Sequence, residues 1–180
     1  SLDHLNSAFL DLFLYNRVSV AELIQARLLI ECEIARIAAV RIEDQGARRL
    51  QKALDAEQTD SPSHAEFVSN RLRFHYLLAE LSGNRLLQAT ASALFRLTGE
   101  VILEVKPVKK VIHRPKEHAE ILRAILDHDG PAAAQSMQRH LDNMGQQLTR
   151  LEGLYRRRRG LRVAIINRVY PGGVLTSAGD

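Results

Sequence analysis

The chain has 180 residues, 46% hydrophobic and 26% charged, a composition that fits one folded globular domain with a sizeable core and excludes a disordered chain. Lys+Arg 25 against Asp+Glu 21 give a formal net charge of +4 and a pI near 9.5. Six arginines against one acid, Asp180, put +5 in residues 156–180 and leave −1 for the other 155 residues. A neutral body lacks the phosphate-neutralising face that nucleic-acid affinity needs. With no Trp and 5% aromatics there is no stacking platform for single strands. The single cysteine, Cys32, excludes a disulfide framework and a Cys-based zinc finger. No apolar run approaches the roughly 18 residues of a membrane span, and SLDHLNSAFL has no basic n-region or signal-peptide core. A cytoplasmic protein with no membrane partner is the expectation.

Helical periodicity dominates the first 155 residues. Leu2, Leu5, Phe9 and Phe13 predict a short leading helix within residues 1–17. Ser19-Val-Ala-Glu22 is a capping box opening a helix over about 20–42, apolar on most of its circumference and therefore central in a bundle. A polar amphipathic helix follows at about 44–59, with Leu50 and Leu54 inward, then a loop at Thr59–Ser63. Ser63-His-Ala-Glu66 starts the next helix, which runs to Ser82 and stops at Gly83. Asn84 can cap a helix over about 85–105. Lys106–Arg114 is basic and reads as a connection. Pro115 suits the first turn of a helix to about 128, and Asp129-Gly-Pro131 caps a last one over about 131–157. No βαβ alternation or long repeat appears, so the fold expected is all-α: an antiparallel bundle of six or seven helices over residues 18–155, with a ligand pocket inside and a non-bundle basic tail at 156–180.

Seven histidines are present, and three of them fall in apolar stripes. His75 lies with Phe67, Phe74 and Leu78, His118 with Ile121, Leu122 and Ile125, and His140 with Met137, Leu141 and Met144. Three helices thus each aim one imidazole at a core. Each ring can bond its own nearby carbonyl or carboxylate; alternatively, the three converge and share a metal ion or an anion, since divalent metals accept three His and an open position. Arg71, four residues before His75, shares its helix face, and Arg27 lies on the stripe of Leu23, Ile30 and Ile34. A buried guanidinium needs an anion, either an internal one such as Glu31, Glu33 or Glu80, or a ligand carboxylate. No GxSxG, HExxH, P-loop or dinucleotide fingerprint is present, and Cys32 reads as packing.

Four segments in order carry a family resemblance. They are Ala21–Glu33 with Ala35–Ala39, Phe74-His75 with Leu78–Asn84, Glu117-His118-x-x-Ile121-x-x-Ala124-Ile125 with Asp129, and Ala133-Ala134-x4-Arg139-His140-Leu141. Together they resemble the effector-binding domain of FadR-type regulators in the GntR family of bacterial transcription factors, over about residues 18–150. The resemblance implies a dimerising helical bundle, not an enzyme, that binds a small organic acid. Arg27, Arg71, His75, Asn84, His118 and His140 are the candidate effector contacts. It also implies a divalent metal (Zn, Ni or Mn) on His75, His118 and His140. The sequence departs from the family at Arg71, which stands where the family has a metal-binding Asp. Either three His still hold a metal, or the metal is gone and Arg71 takes the effector's carboxylate directly. Residues 162–180, ending Pro171-Gly-Gly-Val-Leu175-Thr-Ser177-Ala-Gly-Asp180, resemble the opening of a GntR-type winged helix-turn-helix. DNA contact is then expected only through an attached module of that kind. The competing expectation is a metal-dependent or His-based helical enzyme acting on a small carboxylate.

Overall fold

The computed structural model describes residues 11, 13–14, 18–59, 61–105 and 115–169, with Pro115 and 161–169 by their backbone alone. Among the described residues there are six helices and no strand: α1 (Val20–Arg41), α2 (Asp44–Glu57), α3 (His64–Leu81), α4 (Arg85–Val105), α5 (Pro115–Leu126) and α6 (Gly130–Val169). The all-α expectation holds. The leading helix around Leu2–Phe13 lies largely outside the described residues, although Phe13 itself is buried. The Lys106–Arg114 connection and the Pro171–Asp180 pattern also lie outside them. The last helix continues past its expected end at 157 to Val169. No Gly or Pro follows Arg159 closely enough to stop it except Gly160, which a helix tolerates.

Local chemistry sets the helix ends. Ser19 closes a full capping box: its side chain accepts from the Glu22 N–H, and the Glu22 carboxylate accepts from the Ser19 N–H. Ser63 accepts from the Glu66 N–H at 3.0 Å. Asn84 Oδ1 accepts from the N–H groups of Leu86 and Leu87 (3.0 and 3.1 Å), and Asp129 Oδ1 accepts from Ala132 at 2.9 Å. Gly83 follows α3 at φ 68, the left-handed conformation that ends a helix.

Helix α1 is central. It lies along α6 and also touches α3, α4 and α5. The α1–α6 pair is antiparallel: Glu152 accepts from the Val20 N–H, Gly145 faces Ile24, and Gly130 faces Arg36. Buried apolar residues form two clusters. One centres on Ile34, Phe74, Leu78, Phe95, Ile121, Ile125, Met137 and Leu141. The other joins Phe13, Leu23, Phe67, Leu97, Val101 and Leu148. Leu28, Leu72 and Met144 pack against both, and the polar site lies along that seam.

One sequence expectation needs correction. Helix α4 contains an 18-residue window of mean hydropathy 1.2, enough by length and composition to cross a membrane. Arg96 and Glu100 had masked it as an apolar run. Its apolar residues pack inward instead: Ala91, Phe95, Leu97, Val101 and Ile102 are buried in the two clusters.

Two glycines of α6 separate packing from propensity. A Cβ at Gly145 would stand 3.0 Å from Ile24 Cγ2, whereas one at Gly153 meets nothing within 4 Å. Gly145→Val is expected to lower unfolding free energy by about 1–3 kcal/mol through overpacking against α1. Gly153→Ala is expected to raise it by about 0.5–1 kcal/mol through helix propensity. Urea denaturation of both variants measures the contrast.

Candidate functional site

Helices α3, α5 and α6 each contribute one histidine to a single point. His75 Nε2 lies 3.1 Å from His118 Nε2, which lies 3.2 Å from His140 Nε2. One ligand atom from each ring falls within 4.8 Å of the others. The Phe74 ring stacks on His118 with centroids 4.7 Å apart and a 10° tilt, which fixes the central imidazole. All three rings are buried.

Behind each ring stands a carboxylate. His75 Nδ1 is 2.5 Å from Glu31 Oε2 on α1. His118 Nδ1 is 2.8 and 2.9 Å from the two Glu57 oxygens at the end of α2. His140 Nδ1 is 2.9 Å from Glu117 Oε2 on α5, whose other oxygen accepts from Asn143 Nδ2 at 2.8 Å. A carboxylate on Nδ1 fixes the proton there and turns the Nε2 lone pair toward the common point, the second-sphere arrangement of metal-binding histidines.

Burial governs the protonation of the cluster. It lowers the His75 pKa to about 4 against the opposing pull of Glu31. It lowers His118 well below its ordinary value, helped by His140 and His75, and it lowers His140 against Glu117. The imidazoles are therefore neutral at pH 7, as ligation requires. Burial would raise Glu31, but Arg27 and His75 hold it down to about 2. Glu57 goes the other way: burial pushes it up to about 8 against the opposing charge of Arg71.

Two proton arrangements satisfy this geometry. With Glu57 ionised, all three Nδ1–H groups donate outward and three Nε2 lone pairs face one another, which calls for a cation between them. Nitrogens bound tetrahedrally at zinc distances stand roughly 3.3 Å apart, close to the 3.1 and 3.2 Å found here. With Glu57 protonated, its O–H donates to His118 Nδ1, and the His118 Nε2–H fills the gap toward the other two rings. The donor set fits a divalent metal of the nitrogen-preferring class.

Beside the imidazoles opens a cavity of ≈ 40 Å³. It is lined by polar side chains, Arg27, Arg71, Glu117 and Gln147, and by apolar ones, Val68, Leu72, Ile102 and Met144. Arg27 is fully buried. Its Nε donates to Glu31 Oε1 at 2.5 Å, and its Nη1 reaches Thr98 Oγ1 at 3.4 Å. Its guanidinium also lies 5.4 Å from the Phe95 ring centroid. Its Nη2 is buried with no hydrogen-bond partner among the described residues. Arg71 Nη2 stands 3.9 Å from Glu57 Oε2, and its guanidinium lies over Phe67 at 5.3 Å.

Five of the six residues expected at the site, Arg27, Arg71, His75, His118 and His140, line this cavity. Asn84 does not: it is exposed, and its side-chain oxygen is taken by the N-cap of α4. Glu117, adjacent to His118 in sequence, reaches across to α6 with its carboxylate and supports His140. Glu57 escaped sequence reading altogether. Its signal was its place on the inward stripe of α2, at Leu50, Leu54 and Glu57, where a carboxylate among apolar residues needs a partner.

Comparison with known proteins follows the same lines. The FCD domain matches residues 22–143. The HTH-type transcriptional repressor NanR of Cronobacter sakazakii is 30% identical over 135 residues, covering 73% of this chain and 52% of that protein. The NanR of Klebsiella aerogenes is 31% identical over 130 residues, covering 69% and 49%. The chain therefore spans about half the length of these curated relatives. A solved GntR structure from Streptococcus agalactiae superposes with a TM-score of 0.54 at 26% identity, covering 71% of this chain and 58% of that one.

Glu31 accepts from both Arg27 and His75 inside the core. Glu31→Ala leaves a buried guanidinium without its acceptor and is expected to cost about 3–5 kcal/mol. Glu31→Gln, which keeps an acceptor oxygen, is expected to cost less. Chemical denaturation of the two variants reads the difference.

Proposed function

The chain belongs to the FCD domain family, the effector-binding domain of GntR-family regulators, and from that premise we propose that its cavity senses a small organic acid for a transcription regulator. The carrying observation is the convergence of two arginines, Arg27 and Arg71, with the three histidines on one cavity, Arg27 being buried with no hydrogen-bond partner for its Nη2 among the described residues. A carboxylate supplies the missing acceptor, and the guanidinium fork binds it directionally. Arg71 adds a second cation to the lining. Val68, Leu72, Ile102 and Met144 receive the apolar body of the acid. Ligand atoms touching Arg27 on α1, Arg71 and His75 on α3, His118 on α5 and His140 on α6 tie four helices together. Binding then favours one arrangement of those helices over another, the differential affinity that control of an attached module requires.

His75, His118 and His140 are the residues that would hold a divalent metal, Zn, Ni or Mn. When bound, such an ion supplies a positive centre for an acid's oxygen. The relatives are transcriptional repressors by name, which supports binding rather than turnover as the role of the site. The reading includes a homodimer in the cytoplasm that contacts DNA only through a helix-turn-helix module joined to this domain.

Titration calorimetry with a panel of small mono- and dicarboxylates tests the sensor. Arg71→Ala is expected to weaken binding of the responding acid by about 10–100-fold, the loss of a charge-assisted contact. Unchanged affinity in that variant, or turnover of the acid, would sink the reading. Elemental analysis of the purified protein tests the ion: one equivalent per chain is expected in the native protein and a clear loss in His118→Ala.

A further inference from the structure

Helix α3 turns one face to the histidine cavity and another to the outer surface, and the two faces meet at Val68 and Leu72. With about 100° per residue and Val68 as origin, His75 and Arg71 lie about 20° and 60° to one side, and Leu72, Tyr76 and Ser69 lie about 40°, 80° and 100° to the other. Arg71 and His75 line the cavity. Ser69, Arg73 and Tyr76 line a separate groove between α3 and α4. Val68 and Leu72 line both. On α4 the same division falls at Gly99, about 60° around the helix from the cavity-lining Ile102, on the way to Leu103 and Arg96 in the groove. Gly99 is buried, and a Cβ there would stand 3.2 Å from Leu72 Cδ1 and 3.9 Å from Val68 Cγ1. Glycine is disfavoured inside a helix, and here it leaves the seam with no side chain from α4. The partition between cavity and groove is therefore Val68 and the half-buried Leu72, both from α3.

The two compartments differ in size and lining. The cavity is ≈ 40 Å³ and the groove ≈ 370 Å³. One water needs roughly 10–15 Å³ by the same measure, so the cavity admits a carboxylate and little of the body behind it. In the groove, half-buried Tyr76 and Leu103 lie nearer the partition around their helices, and exposed Arg73 and Arg96 lie further round, against a single acid, Glu100. From Arg27 and Arg71 outward the order is cations, an apolar neck, then cations again. A linear dicarboxylate has the complementary order: anion, methylenes, anion. The geometry points to the α3–α4 groove as an outer compartment of the effector site, joined to the cavity when Leu72 changes rotamer, and to a long linear dicarboxylate as the ligand that spans both. Leu72 is half-exposed, so that change displaces no other core side chain. The inference rests on the sensor reading for its inner half.

Titration calorimetry with octanoate and suberate, which share a chain length and differ in the far carboxylate, tests the span. Suberate is expected to bind the native chain about tenfold tighter or more, the gain of one charge-assisted contact. Arg73→Gln with Arg96→Gln, both at exposed positions, is expected to bring suberate down to the level of octanoate. Gly99→Val sets a branched side chain against Leu72 in the seam and is expected to weaken suberate by about tenfold or more relative to acetate, with circular dichroism confirming that the helices are kept. Leu72→Ala opens the seam and is expected to speed suberate association by about tenfold in surface plasmon resonance. Equal affinity for suberate and octanoate, an advantage that survives loss of both outer arginines, or an association rate that Leu72→Ala leaves unchanged would overturn the proposal. Short acids that bind through Arg71 with no gain from a far carboxylate would refute the outer compartment and leave the sensor standing, whereas a chain that binds no acid would refute both.

Discussion

Three neutral imidazoles sharing one point inside an apolar bundle are the constraint on which the other elements depend. Each ring has two nitrogens, and neither can be left unsatisfied away from water without a cost of several kcal/mol. The inner nitrogens satisfy one another or a cation. The outer ones need carboxylates, and those come from α1, α2 and α5. The rings themselves come from α3, α5 and α6. Five of six helices are therefore placed by the polar cluster as well as by the hydrophobic effect. The sixth, α4, supplies Phe95, Thr98 and Ile102 to the walls around Arg27 and the cavity. A buried ionic network is not in itself a large source of stability. The two apolar clusters on either side provide that, and the network fixes how they meet.

The charges of the site explain why its occupants would depend on one another. Arg27 and Arg71 face Glu31, Glu57 and Glu117, with the three histidines neutral. Two cations against three ionised acids leave one negative charge in a low-dielectric pocket, which disfavours an incoming carboxylate. A proton on Glu57 brings the set to zero. A divalent ion brings it to plus one, which a single carboxylate then neutralises. Arg71, standing where the resembling family carries an acid, shifts the balance toward anion binding by a full charge relative to a neutral residue there.

Much of this was legible in the sequence, and for identifiable reasons. Helix boundaries followed from Ser19, Ser63, Gly83 and Asp129, whose side chains or missing Cβ act within four residues. The three histidines stood out because an imidazole in an apolar stripe is expensive. What sequence could not supply was the reach of side chains between helices. Glu117 reads as adjacent to His118 but supports His140, because α5 and α6 pack side by side. Asn84 reads equally well as a cap or as a ligand contact, and only the fold shows that capping consumes its oxygen. The hydrophobic character of α4 was broken in the sequence by Arg96 and Glu100, both of which prove to be exposed.

Helix α1 carries a buried polar face and an exposed one. Arg27 lines the cavity and Glu31 is buried behind His75, whereas Leu29 and Glu33, each two residues further on, face outward. A helix of 22 residues packed on four neighbours moves as a unit, because its side chains interlock at close-packed density. Gly145 lets α6 approach Ile24 too closely for α1 to slide freely along it. A change in the orientation of α1 that brought the Arg27 guanidinium to an anion would also re-aim Leu29, Glu33, Arg36 and Val40. Coupling between pocket and surface then needs no chain of intermediate contacts: one rigid element carries both, and its orientation is the variable they share.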